Sequence, residues 1–160
     1  MATNRSIVMH HDTDSGITGT AARLGFSRID LNQGVALFHL HPADGSEGPE
    51  IPVPLSIIRP NTIEDADEVW QSLADTLFKQ FRAQGRLPDF FRGYAIQTGE
   101  DSTGDPALYL RILVTPTQGP ANDAKVGKWN DFAALVRESL LQLRLQRWPY
   151  VQLGEFRGKK

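Results

Sequence analysis

The chain has 160 residues, 40% of them hydrophobic and 22% charged, with a formal net charge of −2. That length supports one domain with a sizeable core, and the near-neutral balance argues against a whole-surface nucleic-acid binder. The absence of cysteine excludes disulfides, thiolate metal sites, iron–sulfur ligation and a cysteine nucleophile.

No apolar run approaches the roughly 18 residues that a membrane-spanning helix needs. Met1 to His10 leads into His11, Asp12 and Asp14 without the apolar stretch of a signal peptide, so a cytoplasmic location is expected. Charge is uneven along the chain. Residues 1–90 carry 7 basic and 12 acidic side chains, and residues 91–160 carry 10 and 7. The C-terminal part can therefore present a locally basic surface.

Residues 1–20 are turn-rich and lack an apolar period, so a flexible segment is expected there. Phe26 to Leu31 reads as a strand, followed by an Asn32-Gln33-Gly34 turn. Val35 to Leu40 reads as a strand whose unbroken apolar start predicts burial on both faces. Ile51 to Ile58 alternates, but Pro52 and Pro54 cannot donate ladder hydrogen bonds, which places it at a sheet edge or outside a sheet.

A helix is predicted after Pro60, with Asn61 or Thr62 as its cap and Glu64, Asp65, Asp67 and Glu68 in its first turns. Ala66, Val69, Trp70, Leu73, Leu77 and Phe81 form its apolar stripe. Gly85 is placed to end it, and Pro88 prevents continuation. A hairpin follows. Phe90 to Thr98 and Ala107 to Thr115 flank the acidic turn Gly99-Glu100-Asp101-Ser102-Thr103-Gly104-Asp105-Pro106. In its second strand Leu108, Leu110, Ile112 and Val114 share the face expected to be core, and Tyr109, Arg111 and Leu113 share the other.

A second helix is predicted from Lys128 to Arg147, with Trp129, Phe132, Ala133, Val136, Leu140 and Leu143 as its stripe. Arg144 and Arg147 would favour its C-terminus, and Pro149 would stop it. Tyr150 to Leu153 reads as a last strand. The expectation is a single α+β domain over 21–155, with two helices on one face of a mainly antiparallel sheet and a basic tail at 156–160. Its last six elements follow the βαββαβ order of ferredoxin-like folds.

Three constellations have a chemical reading. Asp101-x-Thr103-x-Asp105 offers oxygens at alternate positions, as a calcium loop does. Pro106 replaces the glycine of that motif, however, and Ile112 replaces its bidentate glutamate. His39 and His41 lie on one face of a strand and can present two imidazoles to a metal, with no third ligand at a defined spacing. His10-His11 is a second doublet. Arg92-Gly93-Tyr94-Ala95 resembles the start of the RNP1 motif of RNA-recognition modules, but the stacking aromatics that should follow are absent. No nucleophile elbow, P-loop or dinucleotide fingerprint is present.

The sequence therefore points to a non-enzymatic binding or assembly protein without a cofactor, with a protein partner or a second copy of itself. Its candidate contact residues are Tyr109 and Arg111 on an open sheet face, Glu100, Asp101 and Asp105 at the hairpin tip, and the corner of Arg144, Arg147 and Trp148. The alternatives are a metal-dependent enzyme using His39 and His41, or a nucleic-acid-binding module using the basic C-terminal region.

Overall fold

The computed structural model describes residues 5–8, 21–42, 45–46, 48–116 and 123–157. Its first sheet is antiparallel, in the order β1 (Arg5–Val8), β2 (Ala21–Asp30), β3 (Val35–His41) and β4 (Glu50–Pro54). β1 lies inside the segment expected to be flexible, and it is ordered by pairing with residues 21–24. The turn after β2 is closed by Gly34 at φ 66°, where its N–H meets the Leu31 carbonyl. Val35, Ala36, Leu37 and Phe38 are all buried, as an apolar run in an inner strand requires. β4 is an edge strand, the place where Pro52 and Pro54 cost no ladder hydrogen bond.

Helix α1 (Asp67–Ala83) starts later than the sequence suggests. Asn61 and Thr62 do not cap it. Asn61 takes a left-handed conformation (φ 63°), the Thr62 hydroxyl donates to the Arg59 carbonyl, and Ala66 is the residue before the first turn. The stripe from Ala66 to Phe81 is buried as predicted, and Ala74 and Phe78 widen it. That breadth lets α1 contact both β2 of the first sheet and β5 (Phe91–Glu100) of the second. Its C-terminus is a Schellman motif: Arg86 N–H bonds the Phe81 carbonyl at 2.8 Å and Gly85 N–H the Arg82 carbonyl at 3.1 Å. Gly85 supplies the left-handed residue (φ 69°), and the Arg86 guanidinium sits over the Phe81 ring.

The second sheet has the order β5, β6 (Pro106–Val114) and β7 (Trp148–Glu155). β5 and β6 form the predicted antiparallel hairpin. β7 runs parallel to β6, which requires a crossover, and helix α2 (Asp123–Gln142) provides it. The chain order from β4 onward is βαββαβ. Its hydrogen bonding is split, with β4 in the first sheet and β7 beside β6 in the second.

α2 ends at Gln142, five residues before the predicted end, and Arg144 turns the chain with φ 54°. Arg147 is consequently not a helix-end cation, and Pro149 lies inside a strand. The core joins α1, α2, Ile29, Ala36 and Phe38 of the first sheet, and Leu108, Leu110, Ile112 and Val114 of the second. An aromatic cluster fills the point where α1, β5 and α2 meet. Phe78 there contacts Phe91, Tyr94 and Phe132.

Candidate functional site

α1 and α2 cover one face of the second sheet and leave the other open. Cross-strand register sets the residues of the open face in rows. Gly99, Ala107 and Trp148 form the first, Gln97, Tyr109 and Tyr150 the second, and Ala95, Arg111 and Gln152 the third. The predicted split of β6 holds: Leu108, Leu110, Ile112 and Val114 are at most 1% exposed, while Arg111 is exposed on the other side.

Trp148 is 56% exposed, an unusual state for the largest apolar side chain. Tyr109 and Tyr150 stack beside it with ring centroids 5.4 Å apart. The Tyr109 ring lies over Gly99, whose missing side chain gives it room, and its hydroxyl donates to the Glu100 carbonyl at 2.7 Å. Arg111 lies across the backbone of Gly154, where a Cβ would stand 2.5 Å from its Nε. Among the described residues its guanidinium has no ion-pair partner. Arg111, Ala95, Ile96, Gln97, Tyr109 and Gln152 line a groove of about 400 Å³.

The acidic tip closes one end of this face. Asp101 Oδ1 accepts hydrogen bonds from Thr103 N–H (2.9 Å), Thr103 Oγ1 (2.6 Å) and Asp105 N–H (3.0 Å). Tyr150 donates its hydroxyl to Asp101 Oδ2 at 3.1 Å, tying the tip to β7. The Thr103 bonds, then those from Asp105 and Tyr150, outweigh the opposing effect of burial and hold the Asp101 carboxyl at about 2. Burial, then the hydrogen bond to Asp101, raises Tyr150 above its ordinary 10.0. One Asp101 oxygen is thus consumed by the loop itself, and the loop is an Asx-type turn.

Arg147 belongs to a different structure. It is 6% exposed and points inward. Its Nε and Nη2 meet the Asp65 carboxylate at 3.0 and 2.6 Å, and its Nη1 donates to the carbonyls of Gly99 (3.0 Å) and Ala107 (3.3 Å). Asp65 also accepts from Trp70 Nε1 at 2.7 Å and Asn61 N–H at 2.9 Å. Burial pushes the Asp65 carboxyl up, but the bonds from Arg147, Asn61 and Trp70 together overcome it, and the net direction is below 3.8. The expected corner therefore divides. Arg144 and Trp148 are exposed, and Arg147 is an internal fastener that pins the sheet to the start of α1.

His39 and His41 stand side by side on β3 with ring centroids 6.0 Å apart. Glu50 is opposite His39 and is ion-paired to Arg28 at 3.2 Å. No group of three or more histidine or carboxylate side chains gathers as a metal cluster among the described residues. His10 and His11 lie outside them. Tyr94, the aromatic of the RNP1-like stretch, stacks on Phe78 of α1 and not on the open face.

The sequence reasoning found Tyr109, Arg111 and Trp148 but missed Gln97, Tyr150 and Gln152. The predicted last strand began at Tyr150, two residues late, so the alternation of β7 that puts Trp148, Tyr150 and Gln152 on one face was missed. Comparison of the chain with protein-family models, with curated proteins and with solved structures finds no match.

Proposed function

We propose that this is a small binding protein whose partner, another protein, docks on the open face of the second sheet. The observation that carries this reading is the exposed Trp148 in line with the stacked Tyr109–Tyr150 pair and Arg111, which has no ion-pair partner among the described residues. Trp, Tyr and Arg are the residue types that dominate protein interfaces, because each combines a large contact area with a directed polar group. Covering the exposed part of Trp148 would contribute about 3 kcal/mol at the usual value for apolar area. The stacked tyrosines are held by hydroxyl bonds to the hairpin, so little side-chain freedom is lost on contact. Arg111 offers a planar pair of donors suited to a partner carboxylate.

The test is affinity purification from the native cell of the wild type, Trp148→Ala and Arg111→Ala in parallel, with mass spectrometry of what each retains. The reading requires a protein held by the wild type and lost from both variants, with all three remaining folded. Equal capture by all three contradicts it. Two other readings predict different outcomes. Use of His39 and His41 in a metal-dependent enzyme predicts stoichiometric metal in untagged protein. A nucleic-acid module predicts retained RNA or DNA, released steeply by salt.

A further inference from the structure

The free edge of β5 carries a separate inference that does not rest on the reading above. β6 has a strand on each side, whereas β5 is paired only with β6 among the described residues. Burial reports the same asymmetry. On the core face of β6, Leu108, Leu110 and Ile112 are at most 1% exposed, but their neighbours Thr98, Ile96 and Tyr94 on β5 are only half-buried. An unpaired edge is a template for another strand, and proteins guard such edges with proline or lysine. β4 carries Pro52 and Pro54, and β7 carries Pro149. β5 carries neither residue type in ten positions.

A bulge at Phe91–Gly93 bends the start of β5, and the regular ladder runs from Gly93 onward. The stretch Gly93–Gly99 is symmetric about Ile96, with a glycine at each end, Arg92 just before it and Glu100 just after. If two copies pair antiparallel about Ile96, Ile96 faces Ile96, and Arg92, the extra residue of the bulge, stands at the same end of the pair as Glu100 of the other copy. Centres at Ala95 or Gln97 set each charge two residues further from its opposite. Glu100 has no ion-pair partner among the described residues. Among the described residues the Arg92 guanidinium bonds only backbone carbonyls nearby, Asp89 at 2.9 Å and Phe91 at 3.2 Å. Opposite charges directly across an antiparallel pair stabilise it, and like charges do the reverse.

We propose that β5 is a homodimerisation edge, pairing antiparallel with β5 of a second copy about Ile96 to give one continuous six-stranded sheet. The contact is isologous, so it closes at two copies and does not propagate. It leaves the outer face of each second sheet free and places the two faces side by side.

Sedimentation across a range of concentrations, on the wild type, Glu100→Arg and the double variant Arg92→Glu/Glu100→Arg, tests the association. Both substituted positions are exposed. A dimer is expected for the wild type, a shift to monomer for the single variant and recovery of the dimer in the double variant. The register is tested separately, since the chain has no cysteine of its own. Ile96→Cys, treated with oxidised glutathione, should cross-link to a covalent dimer faster than Ala95→Cys or Gln97→Cys, because only residue 96 faces itself at disulfide distance. A wild type that stays monomeric at every concentration, a dimer indifferent to the charge reversal, or faster cross-linking at 95 or 97 overturns the proposal.

Discussion

Arg147 and Asp65, 82 positions apart, form a two-point ion pair at 3.0 and 2.6 Å with both side chains almost wholly enclosed. Every buried side-chain polar atom among the described residues has a partner, and this pair accounts for the most demanding of them. It joins the approach to α1 to the hairpin end of the second sheet. Arg147→Ala leaves the Asp65 charge enclosed without its cation and should cost about 3–5 kcal/mol of stability. Urea unfolding of the variant measures this, and a loss below about 1 kcal/mol would show the pair to be ornamental.

Acid should destabilise the protein in a defined window. Asp65 and Asp101 are both held below their ordinary 3.8, Asp101 at about 2. A carboxyl with a lowered folded-state pKa contributes stability that is complete above its unfolded value and is lost as pH falls toward the folded one. Melting temperature should therefore be level above about pH 5 and fall between about pH 4 and 2. Asp101→Asn should flatten part of that limb. An unchanged limb in the variant would contradict the role given to the tip.

The same bond should be visible from its other end. Tyr150 titrates above 10.0, raised by burial and by its bond to Asp101. Asp101→Asn should bring the Tyr150 phenol down, read by phenolate absorbance or by NMR of the ring. No movement would mean that the tip is not fastened to β7.

Arg144 occupies a left-handed position (φ 54°) just after α2, where a side chain is strained and glycine is not. Arg144→Gly should raise stability by about 0.5–1 kcal/mol. Thermal unfolding checks the sign, and destabilisation would show that the Arg144 side chain holds more than its backbone costs.

Gly154→Ala should leave the melting temperature close to that of the wild type while displacing Arg111. The clash is with the flexible end of that side chain, 2.5 Å from the new Cβ. Trp148→Gln should lower the melting temperature modestly and leave the fold intact, since more than half of the residue is exposed. Both variants should lose the captured partner. Retention by both would remove the open face from the account.

Features of the fold set by local rules were legible in the sequence. The 3.6-residue period of Val69, Trp70, Leu73, Leu77 and Phe81 marked α1, Gly85 marked its end, and the prolines of β4 marked an edge. Features set by distant partners were not. Asp65 resembled a helix-start carboxylate because nothing nearby reveals that it binds Trp70 and Arg147. The apolar pattern of α2 runs through Leu143 and Leu145 without a glycine, so the stop at Gln142 was invisible and Arg147 was read as surface. The division into two sheets has the same cause, since β4 and β7 choose partners by packing and not by local pattern. The open face was half legible: the alternation of β6 showed Tyr109 and Arg111, and the misplaced start of β7 hid Tyr150.

The central claim is that the face bearing Trp148 meets a protein in the cell. Its most direct test is in-cell photo-cross-linking, with benzoylphenylalanine placed at position 148 and, as a control, at the exposed position 137 on α2. The account predicts a discrete protein adduct at 148 and none at 137. Adducts at 137 with none at 148, or adducts of nucleic acid in place of protein, would contradict it.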